Sequence, residues 1–302
     1  MKQVAIPSLT DLLKAGAHFG HTSRRWNPKM APFIFTKKSG VHIFDLVETR
    51  ECLSRACQFL YDVAQKGGTI IFLGTKRQAQ GIIKTEAQRC GAMYITERWL
   101  GGTLTNFEQV QGSSKRLIDL EKRMRDGEFD HYTKKERLGI DRQIGKLERM
   151  VGGIRDLEEK PGALFIVDVR REKTAVREAV RVGVPIAAVV DSNSDPESIT
   201  YPIPGNDDAS RSIGILVGTV ANAIELGYQA HEKAEEAEKA EKVEKGGASS
   251  LADLGISKRA QTSLEKAGVK TVGDLKKLSE EELLKTKGLG EKSVGEILKA
   301  VK

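Results

Sequence analysis

The chain has 302 residues, of which 39% are hydrophobic and 30% charged, and its formal net charge is +7 at pH 7. This length suffices for two domains, and no apolar run approaches the roughly 20 residues that span a bilayer, so we expect a cytoplasmic protein without a membrane segment. Seven Lys and Arg residues stand against Asp11 alone in residues 1–38, which predicts a polyanionic partner such as a phosphate backbone.

From about residue 40, apolar runs alternate with amphipathic stretches, as in a parallel sheet covered by helices. Several of these runs are apolar on both faces, which indicates burial on both sides and a three-layer α/β core. The predicted strands are 41–44, 69–73, 92–95, 163–167 and 185–190. The predicted helices are 46–66, 76–90, 171–182 and 208–226. We assign residues 1–228 to this α/β domain.

Residues 105–157 interrupt the alternation, because they are too long for a simple crossover and almost lack strand signals. Apolar residues recur at helical spacing on two arms, and they are Val110, Leu117, Leu120 and Met124, then Ile140, Ile144, Leu147, Val151 and Ile154. Asp126-Gly127 marks a turn, and Thr133 with Glu136 forms a capping box. The pattern predicts an inserted antiparallel coiled-coil hairpin. It is either a stabilising insertion or an arm that reaches RNA or a neighbouring protein.

The C-terminal part begins with a segment at 229–248 that is rich in Ala, Glu and Lys and has no apolar stripe, which predicts a partly helical linker. Residues 249–302 are predicted to form a small all-α module of several short helices. Gly288 and Gly290 precede the last helix, whose free N–H groups can bind a phosphate oxygen next to Lys292 and Ser293. This pattern is typical of a helix-hairpin-helix element that binds nucleic-acid backbones. A small protein-binding module is the alternative.

Sequence signals for catalysis are weak. Residues 74–77 follow a strand and precede a helix, yet they lack the spacing of a phosphate-binding P-loop, and no G-x-G-x-x-G follows any strand. No G-x-S-x-G or H-E-x-x-H motif occurs. We predict that the protein is not an enzyme and requires no cofactor. A nucleotide-dependent enzyme is the alternative class.

Candidate metal ligands and thiols are few. His18 and His21 could bind a metal or serve as bases, or they could satisfy local backbone groups. Carboxylates at Asp191, Asp207 and Asp208 could also join a divalent ion, but the sequence does not place them together. The three cysteines form no C-x-x-C pair, and we predict that they are reduced and only pack.

Basic and aromatic residues cluster in predicted loops, where guanidinium groups can bind phosphates and an indole can stack on a base or sugar. Trp26 and Trp99 could instead be core anchors with solvated arginines beside them. Several clusters together favour RNA. The predicted RNA-binding residues are Arg24, Arg25, Trp26, Asn27, Lys29, Lys37, Lys38, Lys76, Arg77, Arg98, Trp99 and Asn106.

The same stretches resemble a known family over residues 7–228, with motifs in the same order. The motifs are HFGH at 18–21, RWNPKM at 25–30, FIF at 33–35, VHI at 41–43, FLGTKR at 72–77, RWLGGTLTN at 98–106, DSNSDP at 191–196 and PIPGNDD at 202–208. They closely resemble bacterial ribosomal protein S2. The resemblance implies a Rossmann-like α/β domain with a protruding coiled-coil hairpin, a structural component that binds ribosomal RNA between head and body of the small subunit.

The resemblance further implies partners and a metal. Contact with ribosomal protein S1 and with neighbouring small-subunit proteins is expected, and docking of S1 would help to bring messenger RNA to the subunit. Some members of the family hold a zinc ion near that contact. The residues that would carry it here are His21, Asp191 and Asp208.

The tail resembles the C-terminal domain of the RNA polymerase alpha subunit. The matching motifs are LGISKR at 254–259, LEKAGVKTVGDL at 264–275 and GLGEKS at 288–293. The resemblance places Arg259, Gly290, Lys292 and Ser293 where that domain contacts the DNA minor groove. Thr262 and Glu291 depart from the usual asparagine and basic residue, which puts DNA binding in doubt. RNA or a protein is therefore expected as the partner of the tail at least as much as DNA.

Overall fold

A five-stranded parallel sheet organises the part of the chain that the computed structural model describes, residues 4–247, with side chains described through residue 237. Its strand order is β5-β4-β6-β7-β8, and every neighbouring pair is parallel. The strands are β4 (Ile70–Leu73), β5 (Met93–Ile95), β6 (Ala163–Val167), β7 (Ile186–Val190) and β8 (Tyr201–Pro204). The α/β fold class is confirmed, and the four predicted strands of this sheet lie within a residue of their predicted bounds.

Helices cover both faces of this sheet. The helices are α2 (Leu46–Gln65), α3 (Arg77–Cys90), α6 (Lys173–Val182) and α7 (Ser210–Gly247). Side chains alternate along β4, so that Ile70 and Phe72 pack into the core formed with α2, α3 and α7, whereas Ile71 and Leu73 pack into the core that contains α6. The sheet is therefore buried on both faces, and the predicted three-layer core is confirmed.

A second, antiparallel sheet of order β1-β3-β2 lies in the N-terminal part. It consists of β1 (Phe19–Thr22), β2 (Ile34–Lys38) and β3 (Val41–Phe44), preceded by α1 (Leu9–Ala15) and with the 3-10 helix Pro28–Phe33 between β1 and β2. Only β3 was predicted. The strands β1 and β2 were missed because their side chains are largely exposed and show no apolar alternation.

The strand β8 was missed for a different reason. Pro202 and Pro204 lack the N–H groups that a central strand would donate to a neighbouring strand. In the structure β8 pairs with β7 alone, so the prolines stand on an edge strand where those donors are not needed.

The predicted hairpin consists of α4 (Phe107–Arg125) and α5 (Lys134–Val151), which pack against each other. Gly127 in the connecting turn has φ +77°, a conformation that glycine adopts without strain. Thr133 and Glu136 form the predicted capping box. Leu117 and Val151 are buried, whereas Leu138, near the start of α5, is 49% exposed. The helical hairpin is confirmed, and its coiled-coil character stays a prediction.

The helix α7, Ser210–Gly247, extends well beyond the predicted 208–226, so the predicted linker is helical from residue 229 to residue 247. The predicted module at 249–302 lies outside the described residues. Within the described part of the chain, no helix combines the length and apolarity that crossing a membrane requires.

The three cysteines are buried free thiols, as predicted. Burial raises the pKa of Cys57 to about 12 and that of Cys90 to about 11. Both thiols are therefore protonated near neutral pH and act as small apolar groups in the core.

Candidate nucleic-acid interface and metal centre

The carboxyl ends of the parallel strands form one edge of the large sheet, and polar residues follow directly at that edge. Lys76 follows β4, Asp168 follows β6, Asp191 follows β7, and Asp207 and Asp208 follow β8. Because parallel strands end on the same side, the topology brings these side chains together. This is the edge at which open α/β sheets bind their ligands.

His21, on β1 of the small sheet, completes an acidic cluster at this edge. Its Nδ1 lies 3.0 Å from Asp191 Oδ1, and its Nε2 lies 3.4 Å from Asp208 Oδ2. Asp207 belongs to the same cluster, since ligand atoms of all four residues lie within 4.8 Å of one another. The structure thus brings together the three expected zinc ligands and Asp207, whose carboxylate was also a candidate for a divalent ion.

Lys76 supplies a positive charge inside this cluster. Its Nζ lies 2.7 Å from Asp207 Oδ1, 2.6 Å from Asp208 Oδ1 and 3.6 Å from Asp168 Oδ2. Burial alone would lower the pKa of Lys76, but hydrogen bonds to Asp207 and Asp208 raise it above its ordinary value. The side chain is only 13% exposed, so its charge is directed at the protein rather than at solvent.

One atom of the cluster has its hydrogen-bonding capacity unused. Asp207 Oδ2 is buried and has no hydrogen-bond partner among the described residues. Burial, together with the nearby charges of Asp191 and Asp168, raises the pKa of Asp207. Imidazole nitrogen and carboxylate oxygen are ligands that zinc accepts, so the donor set and the orphaned oxygen both fit a divalent cation.

The loop at 22–27 is fixed to this edge by backbone hydrogen bonds. The N–H groups of His21 and Asn27 donate to Oγ and the carbonyl oxygen of Ser192, at 2.8 and 2.7 Å. The Ser23 N–H donates to the carbonyl oxygen of Gly40, in the turn between β2 and β3. The side chains of Arg24 and Arg25 remain exposed at the tip of the loop.

Five exposed arginines line this edge without acidic partners. Arg77, Arg98 and Arg170 follow β4, β5 and β6, and Arg24 and Arg25 join them from the loop. No ion pair involves any of the five among the described residues, 4–237. Elsewhere the arginines Arg89, Arg123 and Arg155 each pair with one or more carboxylates. An unbalanced row of guanidinium groups is the chemistry that binds phosphates.

The match with known proteins settles the family. Residues 12–227 match the family model described as Ribosomal protein S2. The chain belongs to the ribosomal protein S2 family. Members of the S2 family are structural, non-enzymatic proteins of the small ribosomal subunit. The prediction that this protein is not an enzyme is therefore confirmed.

Residues 236–302 match a second family model, which describes the C-terminal domain of the alpha subunit of bacterial RNA polymerase. The S2 family member therefore carries a C-terminal stretch similar to that domain, as the sequence motifs predicted. The tail residues singled out from the sequence lie outside the described residues, and they are Arg259, Gly288, Gly290, Lys292 and Ser293.

Lysines of this S2 family member that were predicted to bind RNA differ in their surroundings. Lys37 and Lys38 are exposed on β2, next to the turn that contacts Ser23. Lys29 is engaged, since its Nζ lies 2.8 Å from Asp195 and 2.5 Å from Glu197. Lys29 therefore ties the 3-10 helix Pro28–Phe33 to the loop after β7, whereas Lys37 and Lys38 remain available to a partner.

The two tryptophans of this S2 family member also differ. Trp26 is half-buried and stacks on His42 with ring centroids 4.8 Å apart. Trp99 is only 6% exposed, and its indole N–H donates to Glu178 at 3.2 Å. Trp99 is a core anchor without an accessible face for a base, and we leave it out of the interface. Asn106 is exposed at the start of α4, where its amide group makes no capping hydrogen bond.

Glu178 is a residue that the sequence analysis did not single out. Its buried carboxylate accepts hydrogen bonds from the N–H groups of Gly102 at 2.8 Å and Leu104 at 3.0 Å, besides the indole N–H. Burial alone would raise the pKa of Glu178, but these hydrogen bonds hold it below its ordinary value. A signal was available, because Glu178 occupies the same helical face as the apolar core residues Ala175 and Ala179.

Proposed function

We propose that this protein binds small-subunit ribosomal RNA through the carboxyl edge of its large sheet, as a ribosome-bound protein of the cytoplasm. The observation that carries the proposal is the row of exposed arginines without acidic partners. Each can neutralise a phosphate, and the strand ends and the hydrogen-bonded loop at 22–27 fix their positions. Lys37 and Lys38 extend the positive surface along β2.

The test replaces two arginines at the loop tip. The double variant Arg24→Ala and Arg25→Ala should bind small subunits or their RNA roughly 10- to 100-fold more weakly at moderate salt, because about two phosphate contacts are lost. Lys29 is kept, since its ammonium group pairs with Asp195 and Glu197. Binding is measured by sedimentation with small subunits in sucrose gradients at several salt concentrations.

The matched control removes the same charge from the opposite edge. Lys66 and Lys160 are exposed and precede β4 and β6 at the amino end of the sheet. The double variant Lys66→Ala and Lys160→Ala should sediment with small subunits as the wild type does. Equal loss in both double variants would show that only net charge matters, and no loss at Arg24 and Arg25 would contradict the proposed interface.

We also propose contacts with ribosomal protein S1 and with neighbouring small-subunit proteins, on the strength of the family. Phe35 on β2 is 73% exposed and offers an apolar side chain for such a neighbour. The hairpin of α4 and α5 would extend the contact surface as a coiled coil. The same gradients, probed for S1, test this part, and S1 that remains at the top of the gradient would count against it.

For the tail we propose an accessory module at 249–302 that binds nucleic acid or protein, joined by a linker at 229–248 to the ribosomal domain at 1–228. The similarity of residues 236–302 to an RNA polymerase domain supports a separate module. A protein truncated after residue 245 is run in the same gradients. Co-sedimentation of the truncated protein supports an accessory role, and its loss from small subunits would make the tail part of the main contact.

We further propose that the acidic cluster holds a zinc ion through His21, Asp191 and Asp208, with Asp207 as an additional candidate ligand. The ion would supply a divalent charge that fastens β1 to the loops after β7 and β8. The support is the convergence of these ligand atoms and the orphaned buried oxygen of Asp207.

Zinc addition to chelator-treated protein is expected to raise the midpoint of thermal unfolding with a stoichiometry of one ion per protein molecule. Asp208 is 54% exposed, so Asp208→Asn should fold, and it should weaken zinc binding by about 10-fold or more through the loss of a charged ligand. The exposed Asp62, on α2, provides the control Asp62→Asn, with unchanged binding. Wild-type protein that shows no saturable zinc binding would refute the site.

A further inference from the structure

A pocket of about 760 Å³ opens at the carboxyl edge of the large sheet, beside the acidic cluster but formed by other residues. Its walls are the loop at 24–28, the segment after β6 with the start of α6, and the loop after β7. Neither the metal ligands nor Lys76 line it. The pocket is therefore a separate concavity, and its lining decides which ligand fits.

The lining is strongly positive. Arg24, Arg25, Arg170, Lys173 and Arg177 contribute five cationic side chains, and none of them has an acidic partner among the described residues. The one acidic residue in the lining, Asp195, already pairs with Lys29, which lies outside the pocket. A ligand with more than one negative charge would find several charges to pair with and little to repel it.

The pocket also offers an aromatic surface. Trp26 lines it, whereas His42, which stacks on the same indole, does not. Both ring nitrogens of His42 are buried without a hydrogen-bond partner in the described part of the chain, so His42 serves here as a flat support that holds the indole in place. Asn193, Ser194 and Ser198, from the loop after β7, add polar groups to the lining. An aromatic plane, polar groups and several cations together fit a nucleotide.

A second cavity next to the pocket favours an RNA strand over a free nucleotide as the ligand. It measures about 720 Å³ and lies between the loop at 20–25 and the turn at 39–41. Arg24 and Arg25 line it, together with His21 and Asp208 of the acidic cluster. These two arginines therefore stand on the boundary between the two cavities. A continuous phosphate backbone can pass from one cavity to the other along them, which a mononucleotide cannot do.

We propose that the pocket takes up one unpaired nucleotide of an RNA strand, with its base against Trp26 and its flanking phosphates on Arg25, Arg170 and Arg177. This rests on the proposed RNA-binding function and specifies its ligand as single-stranded rather than double-stranded RNA. A base held within a duplex cannot enter the pocket, because its face is covered by its stacked neighbours.

The experiment uses the full-length protein and an oligouridylate of about 12 nucleotides as the probe. The protein has two tryptophans, and Trp99 is buried, so quenching of tryptophan fluorescence reports contact with Trp26. The tail contains no tryptophan and cannot contribute to this signal. We expect saturable quenching by oligouridylate, little quenching by an RNA duplex of equal length, and no saturable quenching in Trp26→Phe.

The double variant Arg170→Gln and Arg177→Gln should weaken oligouridylate binding roughly 10-fold, because two phosphate contacts are lost. The control is again Lys66→Ala with Lys160→Ala, with unchanged binding. Three results would each overturn the proposal. They are unchanged oligouridylate binding in the Arg170→Gln and Arg177→Gln variant, equal quenching by the RNA duplex, and displacement of the probe by an equal concentration of uridine monophosphate. If those occur while wild-type protein still sediments with small subunits, only the pocket is wrong. If sedimentation fails as well, the proposed function is wrong.

Discussion

Glu178→Ala is expected to lower the free energy of unfolding by about 3 kcal/mol, one of two large stability effects that concern the carboxyl edge of the sheet. The carboxylate accepts hydrogen bonds from the N–H groups of Gly102 and Leu104 and from the indole of Trp99. Alanine would leave these donors buried and unpaired. Because the donors lie in the loop at 98–106, that loop should lose its fixed conformation first.

The measurement is denaturant unfolding of wild type and variant. Glu225→Ala is the control, since Glu225 pairs with Arg89 at the surface and its loss should cost less than about 1 kcal/mol. Glu178→Gln keeps one acceptor oxygen and should fall between the two. A loss in Glu178→Ala as small as that of the control would show that water replaces the carboxylate.

The same carboxylate predicts a pH dependence. Its pKa is lower in the folded protein than the ordinary value of 4.5, so its stabilising contribution is present above about pH 4.5 and is lost as the pH falls through the folded pKa. The difference in unfolding free energy between wild type and Glu178→Ala should therefore shrink as the pH is lowered from about 5. A constant difference over that range would contradict the assignment.

The sequence predicts the large sheet well because its central strands are apolar at every position. The strands β4, β6 and β7 are buried along their whole length, so the signal does not depend on which face points inward. In the small sheet β1 and β2 escape prediction because these exposed strands are defined by pairing with β3 rather than by an apolar pattern.

The candidate site is only partly predictable for a similar reason. That Asp191 follows a strand is visible in the sequence, whereas Asp208 follows β8, whose prolines conceal it. Parallel strands then bring the two strand ends together. That His21 joins them depends on a hydrogen bond from its N–H to Ser192, which is 171 residues away. Whether a cation is exposed or internal also depends on tertiary contacts, and Lys76 and Arg77 are adjacent in sequence yet face different surroundings.

Lys76→Met is the second large effect, and we expect it to lower the free energy of unfolding by about 3 kcal/mol. Lys76 donates to the buried Asp207 and pairs with Asp168 and Asp208, so its removal leaves several carboxylates close together without their internal cation. The Met side chain retains most of the apolar volume of the Lys stem, which limits the effect to the lost charge. Denaturant unfolding in the presence of a chelator measures it.

The neighbouring residue provides the control, because Arg77→Met removes the same charge from an exposed position and should change stability by about 0.5 kcal/mol or less. Adding zinc tests whether the cluster that pairs with Lys76 also binds a metal. If the acidic residues bind zinc as proposed, saturating zinc should restore much of the stability that Lys76→Met loses, since a divalent cation then balances the same carboxylates. If Lys76→Met is as stable as wild type in chelator, the carboxylates do not depend on Lys76. If zinc does not restore the stability of Lys76→Met, the ammonium group and the metal act at different carboxylates.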